Sequence, residues 1–523
     1  MDMRKLLSGL RPIRGSAAPS APARGAMHPM TPWTILLAGV MILGGGLPAA
    51  AGEHYDVYSY DRWDEAVPSQ AGYLAERSVS GRELGIGDLN EPTDLFLDAE
   101  NRLYIVDSKN DRIVVTDAAL SEVLQVAETF TMPDGSETAL SVPTGIYVAP
   151  ETGYWYIADH DNSRVLVTDG RGNVQMEIGK PDSELFSAEM TFLPQRVLAD
   201  KAGNVYVVLG NITTGAAMFD PRGQFVGYYG ANTVEATSKV VADYFWKLIS
   251  TEEMRSRQSR SVPTGITSFD LDDEGFIYTC TQSVSQRKDM VKKLNPAGDN
   301  LFAQEHLDWG DFQSVYDANT NTSYQSMLCD IDVADDGSIN CLDLTAGRVF
   351  QYDKEGNLLF VSGTKADQLG GFTEAAALES CGDSILVLDK RKGTVTVFRE
   401  TDFGAAVHHA TDLYNGGYYE EAIAPWQDVL RYDGNYRRAF LGLSAGYLVK
   451  GDYKASMDYA KLADSSYRYD RAFECWRQEF LTRHGKTIIV LVLLGILAGM
   501  LLPRLYRRYR PKRRRTHRKE RAV

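Results

Sequence analysis

Cysteine is scarce in this chain. Of 523 residues only Cys280, Cys329, Cys341, Cys381 and Cys475 are cysteine. None forms a C-x-x-C pair or a zinc-ligand spacing, and an odd number in a chain this long does not read as a disulfide framework. They read as small buried core residues, with a bridge between Cys329 and Cys341 across a hairpin as the alternative. Histidine is nearly as rare. Between Gly52 and Glu400 there are three, His54, His160 and His306, which argues against a multi-histidine zinc site. There is no phosphate loop and no paired nucleophile and base. The sequence therefore offers no catalytic residue.

Charge is unevenly distributed along the chain. The formal net charge is −15, but the 20 residues from Arg504 onward carry +10 and the first 51 carry +4, leaving −29 on the body. A body this acidic repels phosphate backbones, so nucleic acid is excluded as its partner.

Long hydrophobic runs occur only at the two ends. TPWTILLAGVMILGGGLPAAAGE, from Thr31, follows Arg4, Lys5, Arg11, Arg14 and Arg24 and ends in small residues. Ala49 and Ala51 fit a small-x-small cleavage site, which predicts a signal peptide over 1–51 or, uncleaved, an anchor. The basic region is long, so Met27 and Met30 are alternative starts. TIIVLVLLGILAGMLLP, Thr487–Pro503, is uncharged and spans roughly 25 Å as a helix, close to a hydrocarbon core. Leu505 and Tyr506 extend it to a transmembrane helix over 487–506. Lys486 and Arg504 flank it and can snorkel. The basic tail 507–523 marks the cytoplasmic side and can also hold anionic headgroups. The expected arrangement is a single-pass protein of the cell membrane, bacterial in style, with its bulk extracytoplasmic and its tail inside.

Between these ends the chain repeats itself. EPTDLFLDAENRLYIVDSKNDRIVVTD from Glu91 and VPTGIYVAPETGYWYIADHDNSRVLVTD from Val142 share three short β-rich runs separated by turn residues. Further copies begin at Leu193, Val262, Met327 and Phe372, making six. The internal register is tight. Asp107, Arg112 and Asp117 lie five and ten apart, as do Asp159, Arg164 and Asp169, and Asp343, Arg348 and Asp353. An Asp in a tight loop accepts backbone N–H bonds, and an Arg five residues on returns charged donors to it. This reads as a staple within a blade, not as a catalytic pair. Periods of 40–50 residues rich in strands indicate a propeller.

LYIVDSKNDRIVVTD, WYIADHDNSRVLVTD and INCLDLTAGRVFQYD resemble the NHL-repeat family. The resemblance covers 84–400 and implies a six-bladed β-propeller. Segment 52–83 precedes it, and YDVYSYDRW, from Tyr55, is the candidate for closing the last blade. A helical insertion is expected over 232–260, as rim packing or as a lid or partner-docking helix. After Glu400 the pattern turns helical. Gly417 and Tyr419 recur as Gly451 and Tyr453, offset by 34. This resembles the tetratricopeptide (TPR) period over 401–477. Two such units are too few to stand alone and should lean on the propeller or the membrane.

Some NHL-like propellers are lactonases or peptide-amidating lyases that hold a metal in the central channel. For this chain the resemblance implies channel-facing residues about two past each repeat's proline: Asp94, Gly145, Arg196, Gly265 and Asp330, with Glu374 nearby. Asp94, Asp330 and Glu374 could form an anionic ring for calcium; alternatively they neutralise Arg196. The favoured expectation is a membrane-anchored binding or scaffold protein, its partner a protein or a cell-surface glycan. The alternative is a lactonase- or lyase-like enzyme with calcium in the funnel.

Overall fold

The structure is a computed structural model that describes residues 55 and 57–509, except 187–188, 211, 214, 231–264, 283–286, 305–306, 313 and 318–321. The expected signal peptide 1–51, the expected insertion 232–260, most of the basic tail, His54 and His306 lie outside the described residues.

Among the described residues, six antiparallel sheets of three or four strands follow one another along the chain, beside three two-stranded hairpins. The inner strands are Asp94–Leu97, Pro143–Val148, Pro194–Ala199, Ser268–Leu271, Leu328–Val333 and Ala375–Cys381. The fold is mainly β, a six-bladed propeller followed by helices. Second strands such as Arg102–Asp107 and Trp155–Asp159 are buried along nearly their whole length. They have a neighbouring blade on each face, so their sequences read as continuous apolar runs, not as alternation. Blades pack through aromatic contacts such as Phe96 on Tyr147, 5.2 Å between ring centroids.

Aspartate sets the turns. Asp169, Asp200, Asp220 and Asp353 each accept the backbone N–H groups two and four residues on, at 2.8–3.1 Å. A glycine three residues after each has positive φ. Asp-x-x-Gly is thus the hairpin device of the propeller. Blade 4 has three strands, and its edge strand Val291–Leu294 is nonetheless buried. Phe302 and Trp309, from the connection to blade 5, join the core beside it, so the edge is covered.

The ring closes with a different segment from the one expected. Tyr73–Ser80 pairs antiparallel with Thr394–Glu400 as the outer strand of blade 6, so 52–83 contains part of the propeller. The Tyr55 segment instead forms a hairpin, Tyr58–Tyr60 with Ala66–Pro68. The reason is polar. Tyr58 and Tyr60 both donate to buried Asp311, at 3.0 and 2.5 Å, which ties the hairpin to the connection between blades 4 and 5.

Five helices follow: α1 (Asp402–Asn415), α2 (Ile423–Tyr432), α3 (Arg437–Lys450), α4 (Tyr453–Leu462) and α5 (Ser466–Tyr509). Thr401 caps α1 by accepting from Gly404 N. Gly417 and Gly451, 34 residues apart, share φ of +83° in the turns after α1 and α3. Tyr419 packs its ring 5.0 Å from that of Tyr414 on α1, and Tyr453 opens α4. Gly446 lets α3 approach the start of α2, since a Cβ there would lie 2.5 Å from the Tyr419 carbonyl oxygen. The helices share a core with blades 5 and 6: Phe403, Val407, Trp426 and Leu443 pack with Leu359, Phe360 and Phe398. Tyr436 donates to Leu359 O at 3.1 Å, and Arg438 pairs with Asp353. The last helix, α5, is long and apolar enough to span a membrane, with mean hydropathy 2.5 in its apolar window.

Candidate functional site: a channel closed at one end and acidic at the other

Strand register places two rings of side chains along the channel. The first comprises Asp94, Gly145, Arg196, Ser268, Asp330 and Ala377. The second, two residues on, comprises Phe96, Tyr147, Leu198, Asp270, Asp332 and Glu379. Ser268, not Gly265, takes the blade 4 position. Glu374 is not in the channel. It lies in the loop before the blade 6 strand, 3.8 Å from Lys390 and 3.4 Å from Arg391. The reason is that the blade 6 strand begins at Ala375 and its register puts small Ala377 in the first ring.

Arg196 closes the first ring. Its Nη1 donates to Thr144 O at 2.7 Å and Gln195 O at 3.3 Å. Its Nη2 donates to Thr93 O at 3.0 Å and Ala376 O at 3.5 Å. Carbonyls of blades 1, 2, 3 and 6 therefore share one guanidinium. Nε lies 3.4 Å from Asp94 Oδ1. Gly145 makes the contact possible, because a Cβ there would stand 2.8 Å from Gln195 O and 3.3 Å from Asp94 Oδ2. The space left is about 30 Å³, room for a water molecule. A calcium ion does not fit this ring, since the cationic guanidinium occupies its centre. Among the described residues, no three His, Cys, Asp or Glu side chains converge as metal ligands.

The channel acids share a second task. Asp94 accepts from Ile146 N at 2.9 Å, Asp270 from Val333 N at 2.7 Å, Asp330 from Leu378 N at 2.8 Å and Glu379 from Leu97 N at 2.8 Å. Each carboxylate thus caps an inner-strand N–H of the following blade, one that has no sheet partner on the channel side. Burial pushes Asp94 up to about 7 despite the opposing charge of Arg196, with Asp330 adding to the rise.

Below the second ring the channel opens into a cavity of about 700 Å³. Among the described residues that line it, nine of 28 are Asp or Glu and none is Lys or Arg. Asp270, Asp332 and Glu379 form its floor. Burial raises all three carboxyls, and mutual repulsion raises Asp270 and Glu379 further. Asp332 is pushed up to about 6, the rise eased by hydrogen bonds from Asn340 at 2.8 Å and Ser380 at 3.2 Å. One wall comes from the helices. His408 of α1 places Nδ1 2.5 Å from Glu400 Oε1 and Nε2 2.8 Å from Gln351 Oε1. Gln351 donates to Asn340 Oδ1 at 3.1 Å, so a polar chain runs from α1 to Asp332. Phe96, Tyr147 and Tyr73 supply aromatic surface. Asp270, Asp332 and Glu379, partly desolvated and beside aromatic faces, can together hold an organic cation.

The repeat staples are structural. Asp107 accepts from Asn90 N at 2.7 Å and from Asn110 Nδ2 and Arg112 Nε, both at 2.8 Å. Asp159 repeats this with Ser141, Asn162 and Arg164, all at 2.8 Å. Each Asp pins the incoming connection to its hairpin loop. The third set departs from the pattern. Asp343 accepts from Met327, Thr345 and Ala346 N–H groups, whereas Arg348 pairs with Asp311. Asp311, which also anchors the tyrosine hairpin, draws the guanidinium away. All five cysteines are free thiols, so Cys329 and Cys341 form no bridge.

No family model matches the chain, and no curated protein does. Solved structures align with it at low identity. Kuenenia stuttgartiensis hydrazine synthase is 12% identical with a TM-score of 0.36, over 60% of this chain and 97% of that one. Virginiamycin B lyase from Staphylococcus aureus is 8% identical with a TM-score of 0.37, over 62% and 99%. A protein of unknown function from Bacteroides thetaiotaomicron is 12% identical with a TM-score of 0.35, over 63% and 72%. At these values none assigns an activity, ligand or partner to this chain.

Proposed function

We propose that the protein is a membrane-anchored extracytoplasmic binding or scaffold protein, whose propeller and TPR-like helices receive a partner at the acidic cavity. The observation that carries this reading is the 700 Å³ cavity, whose lining bears nine carboxylates and no Lys or Arg. Of the two partner classes, protein and glycan, it favours an exported protein with a segment carrying Lys or Arg. The apolar helix α5 and the basic tail support anchoring with the propeller outside. The TPR resemblance supports a role in interaction.

In-cell cross-linking of the intact membrane protein, followed by mass spectrometry of what is captured, tests the reading. A defined partner whose capture weakens when Asp270, Asp332 and Glu379 are neutralised supports it. Capture unaffected by that change, or of this chain alone, counts against it. The alternative, a lactonase- or lyase-like enzyme with calcium in the funnel, predicts a melting temperature that rises with calcium and falls with chelator. With Arg196 in the first ring, the expected response is none.

A further inference from the structure

Helix α5 carries an aromatic ladder before it becomes apolar. Tyr469 stacks on Phe473 at 6.3 Å, Phe473 on Trp476 at 5.7 Å and Trp476 on Phe480 at 5.4 Å between ring centroids. The spacing is four, three, four, which is that of a heptad seam with 473 and 480 at a and 469 and 476 at d. The same register continues through Val490, Leu494, Leu497 and Leu501. It is interrupted only at Arg483 and Thr487. Arg483 is 3.4 Å from Glu479 of its own helix and sits roughly 6 Å above the apolar run, at the depth of lipid headgroups.

Lipid covers the seam below Thr487 but does not reach its upper part. Phe480 stands about 10 Å above the apolar run, Trp476 about 16 Å and Phe473 about 21 Å, while the headgroup layer is only roughly 6 Å deep. Yet Phe473 is 38% exposed and Phe480 42%. An aromatic row of this kind above a membrane calls for protein cover.

We infer that the seam of α5 pairs in parallel with α5 of a second copy of this chain. A helix that follows the seam through water, headgroups and hydrocarbon must cross the membrane at the same level and in the same register. A second copy does so by construction, through a two-fold axis along α5. In parallel alignment Glu479, which pairs with Arg483 of its own helix, occupies a g position facing His484, an e position, of the second copy. Within 488–503 every face is apolar, so the aromatic ladder sets the register there too. Pairing places two acidic cavities on one assembly, which makes a partner with two basic segments bind with avidity.

The test uses the full-length protein in native membranes. Single cysteines are placed at Phe473, Trp476 and Phe480 on the seam, and at Glu474 and Gln478 on the outer face. The background carries Cys475→Ser, and the four propeller cysteines stay in place as the control. Oxidation with copper phenanthroline is expected to cross-link the seam positions to a species of twice the mass, several-fold more than the outer positions. Equal cross-linking at all five, none at the seam, or seam cross-links to a different chain overturns the proposal. Sedimentation in detergent gives a second readout. Wild type is expected at twice the chain mass and Trp476→Glu at the single mass, with the propeller's unfolding temperature unchanged in both. Wild type at the single mass contradicts the pairing.

Discussion

The two ends of the channel are built from the same inner strands, two residues apart, and they behave oppositely. In the first ring Asp94 and Asp330 flank Arg196, and the guanidinium satisfies carbonyls from four blades. In the second ring Asp270, Asp332 and Glu379 flank one another with no Lys or Arg lining the cavity. The first arrangement seals and stabilises. The second holds carboxylates at a cost to stability, which is how a recognition site differs from a structural one. One cation at residue 196 makes the difference, and each end can be altered separately.

The largest effect is expected at the sealed end. Arg196→Met leaves buried Asp94 and Asp330 without a counter-charge and should lower stability by about 3–5 kcal/mol, measured by denaturant unfolding. The blade staples come next. Asp159→Ala removes the acceptor for Ser141 N, Asn162 and Arg164 and should cost about 1–3 kcal/mol. The open end should respond with the opposite sign. Glu379→Gln keeps an acceptor for Leu97 N, removes a carboxyl whose charged form burial and its acidic neighbours disfavour, and should raise stability above the pH at which that group ionises by about 1 kcal/mol.

The pH dependence follows from the same groups. Their carboxyls are raised in the folded state, so the folded protein binds protons more tightly than the unfolded chain, where such groups titrate near about 4. Stability should therefore fall as pH rises from about 4 through the folded values, about 6 for Asp332 and about 7 for Asp94, and level off above them. In Asp332→Asn the part of this slope around pH 6 should flatten. The smallest effect sharpens the boundary of the site. Glu374→Gln, outside the channel, should change stability by less than about 0.5 kcal/mol.

Much of the propeller was legible because a blade cannot bury its own faces and must repeat. The copies beginning at Glu91 and Val142 showed the strands, and Asp107 and Asp159 showed the loops. Closure was not legible. YLAERSVS, at Tyr73, is polar on its outward face and lacks the repeat's markers, while the aromatic Tyr55 segment looked more like a strand and serves Asp311 instead. In the candidate site, Asp94 and Arg196 came from their offset to proline and Asp330 from the equivalent position in a blade without one. Glu374 was misplaced because blade 6 also lacks the proline and its first-ring residue, Ala377, lies three residues further on. The acidic floor was missed although a signal existed. Strand side chains alternate, so the residue two past each first-ring position also faces the channel. Asp330 with Asp332, and Ala377 with Glu379, follow that rule. The cavity itself depends on where α1 docks, which no repeat spacing encodes.

The central claim is that the open end of the channel recognises a cationic group through its carboxylate floor. Calorimetric titration of hexalysine into the full-length protein in detergent tests it most directly, alongside a variant combining Asp270→Asn, Asp332→Asn and Glu379→Gln. The account predicts binding to the wild type that weakens as salt is raised and is lost in the variant, whose fold is checked by its unfolding temperature. Equal binding to both proteins, or none to the wild type at low salt, would contradict it.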